Sequence, residues 1–320
     1  MQEIQFDLVI IGAGPAGTSA AVYAGRKKIK TLLITGDFGG QSVVSENIQN
    51  WIGDTTVSGG ELAKRFETHV NAYAGEDLEV LKNTQVKNIV KKVEGVEECF
   101  EIEISGKYQD KNIISTKTVL IATGSIRRKL EAINADTFEH KGLTYCASCD
   151  GLFFAGRDVV VVGAGNAAFE SALQLAAYCS SVKIFVRSDS VRADEVTQDA
   201  VAKNSKIQII KNVEIVEVFG EKSVSGIKYK NANSEDILEM TIAGIFVEIG
   251  QIPNTAFAKE ACKIDSFGRV EIDPWTQKTS EAGLWAAGDC TNIKYHQNNI
   301  AAGDGVKALE DIYQYLQGVR

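Results

Sequence analysis

The sequence predicts an α/β protein of two three-layer domains, the second inserted into the first. Three observations carry this. A buried-strand run followed by a glycine-rich loop and a helical pattern occurs twice, at Gly12 and again at Gly163. Each loop is answered well downstream by another apolar strand ending in glycine, Thr118 to Ser125 for the first and Ala243 to Thr255 for the second. A last strand of this kind, Gly283 to Cys290, follows both and completes the first domain. The joins are expected near Ala122 and Ile249, giving residues 1–121 with 250–320 as one domain and 122–249 as the other.

Composition agrees with that size. At 320 residues, 44% hydrophobic and 24% charged, the chain is an ordinary soluble globular protein with length for about two domains of roughly 150 residues. The opening "MQEIQFDLVIIGAGPAG" is acidic where a leader is basic, and its apolar run breaks at Gly12. A cytoplasmic location without a membrane partner is therefore expected. Net charge −8, with lysines and arginines scattered, gives no electrostatic footprint for nucleic acid.

In "DLVIIGAGPAG", the strand Leu8 to Ile11 runs into Gly12-x-Gly14-x-x-Gly17, and Ala16, Ala20 and Ala24 then share one helical face. Gly12 makes the tight turn, Gly14 lets backbone N–H groups reach a pyrophosphate, and Gly17 lets helix and strand pack closely. This is the Rossmann-like βαβ context. The ribose-binding acid expected about 20 residues on is absent at the strand end, where Thr35 and Gly36 stand.

The second loop, in "DVVVVGAGNAAFESALQLAAYCSSVKIFVRSDSVR", takes strand Val159 to Val162 into Gly163-x-Gly165-x-x-Ala168 and a helix to about Tyr178. Strand Val182 to Val186 follows, and after it stand Arg187, Ser188 and Arg192 in place of a ribose carboxylate. Arginines here can fork onto a 2′-phosphate, which favours NADPH over NADH. The alternative reading of the two arginines is as solvated surface groups beside Asp189 and Asp194. Between the first βαβ unit and "TVLIATGS", the segment Val80 to Ser115 alternates polar and apolar residues and predicts an antiparallel meander. In "GLWAAGDC", Gly288 and Asp289 end a strand where ligands of open parallel sheets bind.

Six cysteines stand at 99, 146, 149, 179, 262 and 290. In a reducing cytosol they are not expected to form a disulfide framework. Cys179 in a helical pattern and Cys99 in an alternating strand read as small buried hydrophobes. A structural zinc site needs further ligands, yet no second C-x-x-C occurs and His69, His140 and His296 do not cluster, so no metal is expected. What remains for Cys146 and Cys149 in "YCASCDG" is a redox dithiol, a role in which this spacing lowers a thiol pKa. Asp150 is adjacent and can move a proton, although Asp150-Gly151 is also a turn signal. A cycling dithiol needs an electron source, and two nucleotide loops suggest a nicotinamide donor and a flavin.

The order of motifs, GAGPAG, "GGQ" at Gly39 to Gln41, "IQNWIG", "IATGS", "CASCDG", GAGNAA, "GIFVEIG", "AAGDC" and "YHQNNIAAGDG", resembles the low-molecular-weight thioredoxin reductases over nearly the whole chain. That resemblance implies FAD on the first domain, held by Gly12, Gly14, Pro15, Ala16, Gly17, Gly40, Gln41 and Asn50. Ala122, Thr123, Gly124, Gly288, Asp289, His296, Gln297 and Asn298 would complete the flavin site. It implies NADPH on the inserted domain, at Gly163, Gly165, Asn166, Ala167, Ala168, Arg187, Ser188 and Arg192. Cys146 and Cys149 would be the redox disulfide, Asp150 the proton donor, thioredoxin or a thioredoxin-like protein disulfide the substrate, and the molecule a homodimer.

Some positions depart from that pattern. The family's His-Arg-Arg after the second loop's strand is Val186-Arg187-Ser188 here, and its C-terminal Arg-Gln pair is His296-Gln297. "RADEVTQD", "AGIFVEIG" and "AAGDGVKA" lean toward the related flavoprotein component of alkyl hydroperoxide reductase, which uses NADH. NADH is thus the alternative donor. The alternative functions are an NADH-dependent reductase of a glutaredoxin-like or peroxiredoxin system, a ferredoxin-dependent thioredoxin reductase, and a flavin-dependent dithiol oxidase. A nucleotide-binding sensor would keep the loops but has no use for C-x-x-C-D-G.

Overall fold

The computed structural model describes residues 4–45, 48–94, 97–231, 234 and 236–318. The first three and last two residues of the expected first domain lie outside them. The chain divides into two compact units: its two ends, up to Ile126 and from Ile252 on, form the first, and Arg127–Gln251 forms the second. The chain leaves the first unit later than Ala122, whose N–H still donates to the Ile11 carbonyl at 2.8 Å.

In the first unit, strand Phe6–Ala13 lies between Thr31–Phe38 and Lys111–Ile121, parallel to both. Alternation along it feeds two cores: Leu8 and Ile10 pack under helices with Ala16, Ala20 and Ala24, and Val9 and Ile11 pack on the other face with Phe100 and Ile102. A strand buried on both faces reads as an unbroken apolar run. Leu78–Leu81 and Leu284–Ala286 extend the parallel sheet on either side.

The meander differs from the sequence reading. Leu78–Leu81 belongs to the parallel sheet, and the antiparallel strands are Val86–Glu94, Glu97–Tyr108 and the first part of Lys111–Ile121. "TVLIATGS" is therefore the continuation of the third meander strand. Its pattern changes from mixed to apolar because its second half alone is flanked by parallel neighbours on both sides.

The second unit repeats the plan. Its parallel sheet runs Ile207–Lys211, Ser181–Val186, Asp158–Val162, Gly244–Val247, Leu143–Thr144. Helix Asn166–Ala176 covers one face through Phe169, Ala172 and Leu175. The antiparallel strands Val213–Gly220, Val224–Asn231 and Ile237–Thr241 cover the other through Val213, Ile215 and Ile227. The two short strands occupy equivalent edges: Leu284–Ala286 leads to Gly288 and Asp289, and Leu143–Thr144 leads to Cys146. Among the described residues, no helix is long and apolar enough to cross a membrane.

Candidate functional site

Cys146 and Cys149 form a disulfide with Cα atoms 5.3 Å apart. Cys146 caps the short helix Ala147–Asp150, its Sγ accepting from the Cys149 N–H at 3.2 Å. Both cysteines and Asp150 are half-buried. The Asp150 carboxylate accepts a hydrogen bond from the Thr144 hydroxyl. Burial pushes the Asp150 carboxyl above the ordinary aspartate range, against the opposing pull of Thr144 and His140. On the other side of the pair, the Tyr145 hydroxyl donates to Glu139 Oε1 at 2.5 Å, and Lys129 Nζ holds Glu139 Oε2 at 2.9 Å.

Three of the four remaining cysteines, Cys179, Cys262 and Cys290, sit where burial disfavours the thiolate. Burial pushes the Cys262 and Cys290 thiols up to about 11 and raises that of Cys179. Cys179 is buried, as its pattern predicts, whereas Cys99 is only half-buried because Phe100 takes the core side of that strand.

In the first unit the structure brings several sequence-predicted residues together. Asn50 Nδ2 donates to Gln297 Oε1 at 3.1 Å, Ser42 Oγ to Asn298 Oδ1 at 2.8 Å, and Gln41 Nε2 to the Ser125 carbonyl. Gly288, at φ +76, is wedged between Ala16 and Ala301, so the strand bearing Asp289 meets the starts of helices Pro15–Arg26 and Asn298–Leu316. Thr123 Oγ1 donates to the Asn254 carbonyl at 2.6 Å, and the Asn254 N–H donates to the Gly124 carbonyl at 3.0 Å. His296 Nε2 is 3.2 Å from the Ile293 carbonyl. Gly40, at φ +57, faces Gly14 across the loop.

The two glycine loops share a division of labour. At Gly12, with φ +103, a Cβ would stand 2.5 Å from the Ala122 carbonyl oxygen, and at Gly163 one would stand 2.4 Å from that of Glu248. The fold itself demands those glycines. At Gly14 a Cβ would meet nothing closer than 3.9 Å, and at Gly165 nothing within 4 Å. Glycine at these second positions leaves open backbone where a pyrophosphate approaches. Neither Gly14 nor Gly165 caps its helix with a side chain, whereas Ser58 and Asp194 cap theirs. Apart from Pro15, which has no N–H, and Ala168, whose N–H donates to the Gly165 carbonyl at 3.1 Å, the first-turn N–H groups of both loop helices lack a side-chain cap and suit an anion. The residues present thus fit a dinucleotide in each unit.

Around the second loop, the Arg192 N–H donates to the Ala164 carbonyl at 2.7 Å, and Asn166 is tied to Asp194. Arg187, Ser188 and Arg192 are exposed, and neither arginine pairs with a carboxylate among the described residues. Ala168 is buried under the loop and Ala167 is exposed. The sequence pattern gives no role to Thr144 or Glu248, and it marks Asp194 only as a neighbour of the surface arginines, without its tie to Asn166. Of Thr144 and Glu248, Glu248 alone left a visible signal, a carboxylate interrupting the apolar run "GIFVEIG".

Two dinucleotide-type units, one carrying a disulfide between cysteines three positions apart, define a flavin-linked disulfide oxidoreductase. The chain belongs to the pyridine nucleotide-disulphide oxidoreductase family, which it matches over residues 6–305. Membership implies a flavin and a nicotinamide cofactor.

Curated relatives carry two different names. The chain is 35% identical over 311 residues to a protein named NADH dehydrogenase from Ferdinandcohnia aciditolerans, covering 97% of this chain and 57% of that protein. It is 35% identical over 313 residues to a component of alkyl hydroperoxide reductase from Escherichia coli, covering 97% and 58%. The chain therefore spans less than two thirds of these relatives. Among solved structures, thioredoxin reductase from Streptococcus pyogenes superposes with TM-score 0.87 at 31% identity, covering 98% of this chain and 99% of that one. Thioredoxin reductase from Giardia duodenalis gives TM-score 0.89 at 29% identity, covering 98% and 100%.

Proposed function

We propose that the protein is a thioredoxin-disulfide reductase, passing two electrons from NADPH through FAD and Cys146–Cys149 to the disulfide of thioredoxin or a thioredoxin-like protein. The observation that supports this most directly is the half-buried Cys146–Cys149 bond, backed by Asp150, in the unit that also holds the second glycine loop. FAD, when bound, supplies the chemistry that takes a hydride and gives electrons to a disulfide. Gly12, Gly14, Pro15, Ala16 and Gly17 would hold its pyrophosphate, with Gly40, Gln41, Asn50, Ala122 to Gly124, Gly288, Asp289 and His296 to Asn298 around it.

Once the pair is reduced, one cysteine thiolate attacks the substrate disulfide, whose S–S bond breaks as a mixed disulfide forms. The departing substrate thiolate takes a proton. The second cysteine then attacks the first, re-forming Cys146–Cys149 and releasing the other substrate thiol, so two electrons and two protons are delivered. Asp150 keeps its proton to higher pH than an exposed aspartate and is the group beside the pair suited to donate it.

Arg187 and Arg192, exposed at the end of strand Ser181–Val186 and beside the glycine loop, support NADPH. The relatives named for alkyl hydroperoxide reductase and NADH dehydrogenase support a second reading, an NADH-dependent reductase feeding a peroxiredoxin system. Initial rates with each nucleotide, using thioredoxin or a peroxiredoxin-linked carrier disulfide as acceptor, separate the two. NADPH with thioredoxin is expected to be fastest; NADH with the carrier fastest replaces the first reading by the second. The same proposal has the protein acting as a homodimer in the cytoplasm, for which light scattering and cell fractionation are the checks.

A further inference from the structure

Glu248 directly follows strand Gly244–Val247, and its side chain is only 10% exposed. Ser171, on the helix of the second glycine loop, donates its hydroxyl to Glu248 Oε1 at 3.0 Å, and the Arg127 guanidinium stands 3.6 Å from Oε2. The backbone of Glu248 is fixed as well: its N–H donates to the Val162 carbonyl at 2.8 Å, and its own carbonyl lies against Gly163. Burial raises the proton affinity of this carboxyl, and Arg127 and Ser171 oppose that rise. The core does not require an acid there, because Ile245, Phe246 and Val247 supply the apolar packing. A desolvated carboxylate held by two partners at a loop end is a feature with a cost.

Sheet order says which half of a dinucleotide meets it. In an open parallel sheet the ligand lies across the C-terminal strand ends, with its pyrophosphate at the glycine loop. One flank of that loop is Ser181–Val186, whose end carries Arg187 and faces the adenosine side. The other flank is Gly244–Val247, ending in Glu248, and beyond it lies Leu143–Thr144, which leads to Cys146. The nicotinamide half therefore falls on the side of Glu248.

Resting on the dinucleotide-binding reading above, we propose that Glu248, held by Ser171 and Arg127, is a specificity residue for the nicotinamide end of the donor. Its negative charge favours the cationic oxidised ring over the neutral reduced one. Equilibrium binding to the flavin-loaded enzyme tests this, with NADP⁺ and NAD⁺ compared against 2′-phospho-ADP-ribose and ADP-ribose, which lack the nicotinamide. In Glu248→Gln, a near-isosteric change, the oxidised dinucleotide is expected to bind about tenfold more weakly, while the fragments bind as to the unchanged protein. Ser171→Ala is expected to shift binding in the same direction by less. Equal weakening of dinucleotide and fragment would reduce Glu248 to a support for the loop, and no weakening of either would also overturn the proposal. If the unchanged protein binds neither fragment nor dinucleotide, the dinucleotide reading itself fails.

Discussion

The Thr144 hydroxyl donates a hydrogen bond to the carboxylate of Asp150, tying the end of strand Leu143–Thr144 to the residue behind Cys149. The proposed proton donor is thereby positioned by the same short strand that delivers the disulfide.

Replacing Asp150 by Asn is expected to slow thiol–disulfide exchange with the protein substrate about 100-fold, with nucleotide binding unchanged, as read by stopped-flow absorbance. Because burial raises the Asp150 pKa, exchange in the unchanged protein should fall as pH rises through that elevated value. Thr144→Val removes a donor to the carboxylate and should move this fall to higher pH. The sign for stability is the opposite of a salt-bridged carboxylate. A folded pKa above the unfolded one gives a contribution fully present below the unfolded value, about 3.9, and lost as pH rises through the folded value. Asp150→Asn should therefore melt higher than the unchanged protein at neutral pH, and the gap should close in acid.

Asn166 and Asp194 bond each other twice, Asn166 Nδ2 to Asp194 Oδ2 at 3.0 Å and the Asp194 N–H to Asn166 Oδ1 at 2.8 Å. Asp194 Oδ1 also caps the helix Glu195–Ala202 at the Thr197 N–H. Asn166→Ala is expected to raise KM for the nicotinamide nucleotide several-fold by loosening the segment that carries Arg192. Since the bonds are exposed, stability should drop by only about 1 kcal/mol. Arg192→Ala should lower kcat/KM for NADPH about tenfold more than for NADH. An unchanged NADPH to NADH ratio would remove the 2′-phosphate role.

Two glycines of the first loop should fail in different ways. At Gly17 a Cβ would lie 1.8 Å from the Gly12 carbonyl oxygen, so Gly17→Ala is expected to destabilise the protein by about 3 kcal/mol. At Gly14 the space is open and the backbone is extended at φ −71 and ψ −173, which any residue adopts. Gly14→Ala should therefore melt normally as apoprotein and lose flavin. Apoprotein melting and flavin absorbance per chain distinguish these outcomes.

The glycine loops and the dithiol were legible in the sequence because tight turns, close backbone approach and a C-x-x-C each demand particular residues at fixed spacing. The parallel sheets were legible because strands buried on both faces read as apolar runs. Val80 and Leu81, which the alternating pattern places in the meander, instead end the parallel strand Leu78–Leu81, because four residues carry too little periodicity to reveal which neighbour they pair with. Thr144 was invisible as a partner of Asp150, since the strand-to-helix geometry that aligns them leaves no mark on residue type. The ties from Asn50 to Gln297 and from Ser42 to Asn298 cross most of the chain and come from packing of the last helix against the first unit's loop.

Most directly, thiols can be counted in the denatured protein after anaerobic treatment of the flavin-loaded enzyme with a slight excess of NADPH or NADH and removal of the nucleotide. The oxidised enzyme should show the four free cysteines, Cys99, Cys179, Cys262 and Cys290, and the treated enzyme two more, assigned to Cys146 and Cys149 by alkylation and peptide mapping. A bleached flavin with no gain in thiols under either nucleotide would contradict electron transfer through the Cys146–Cys149 pair.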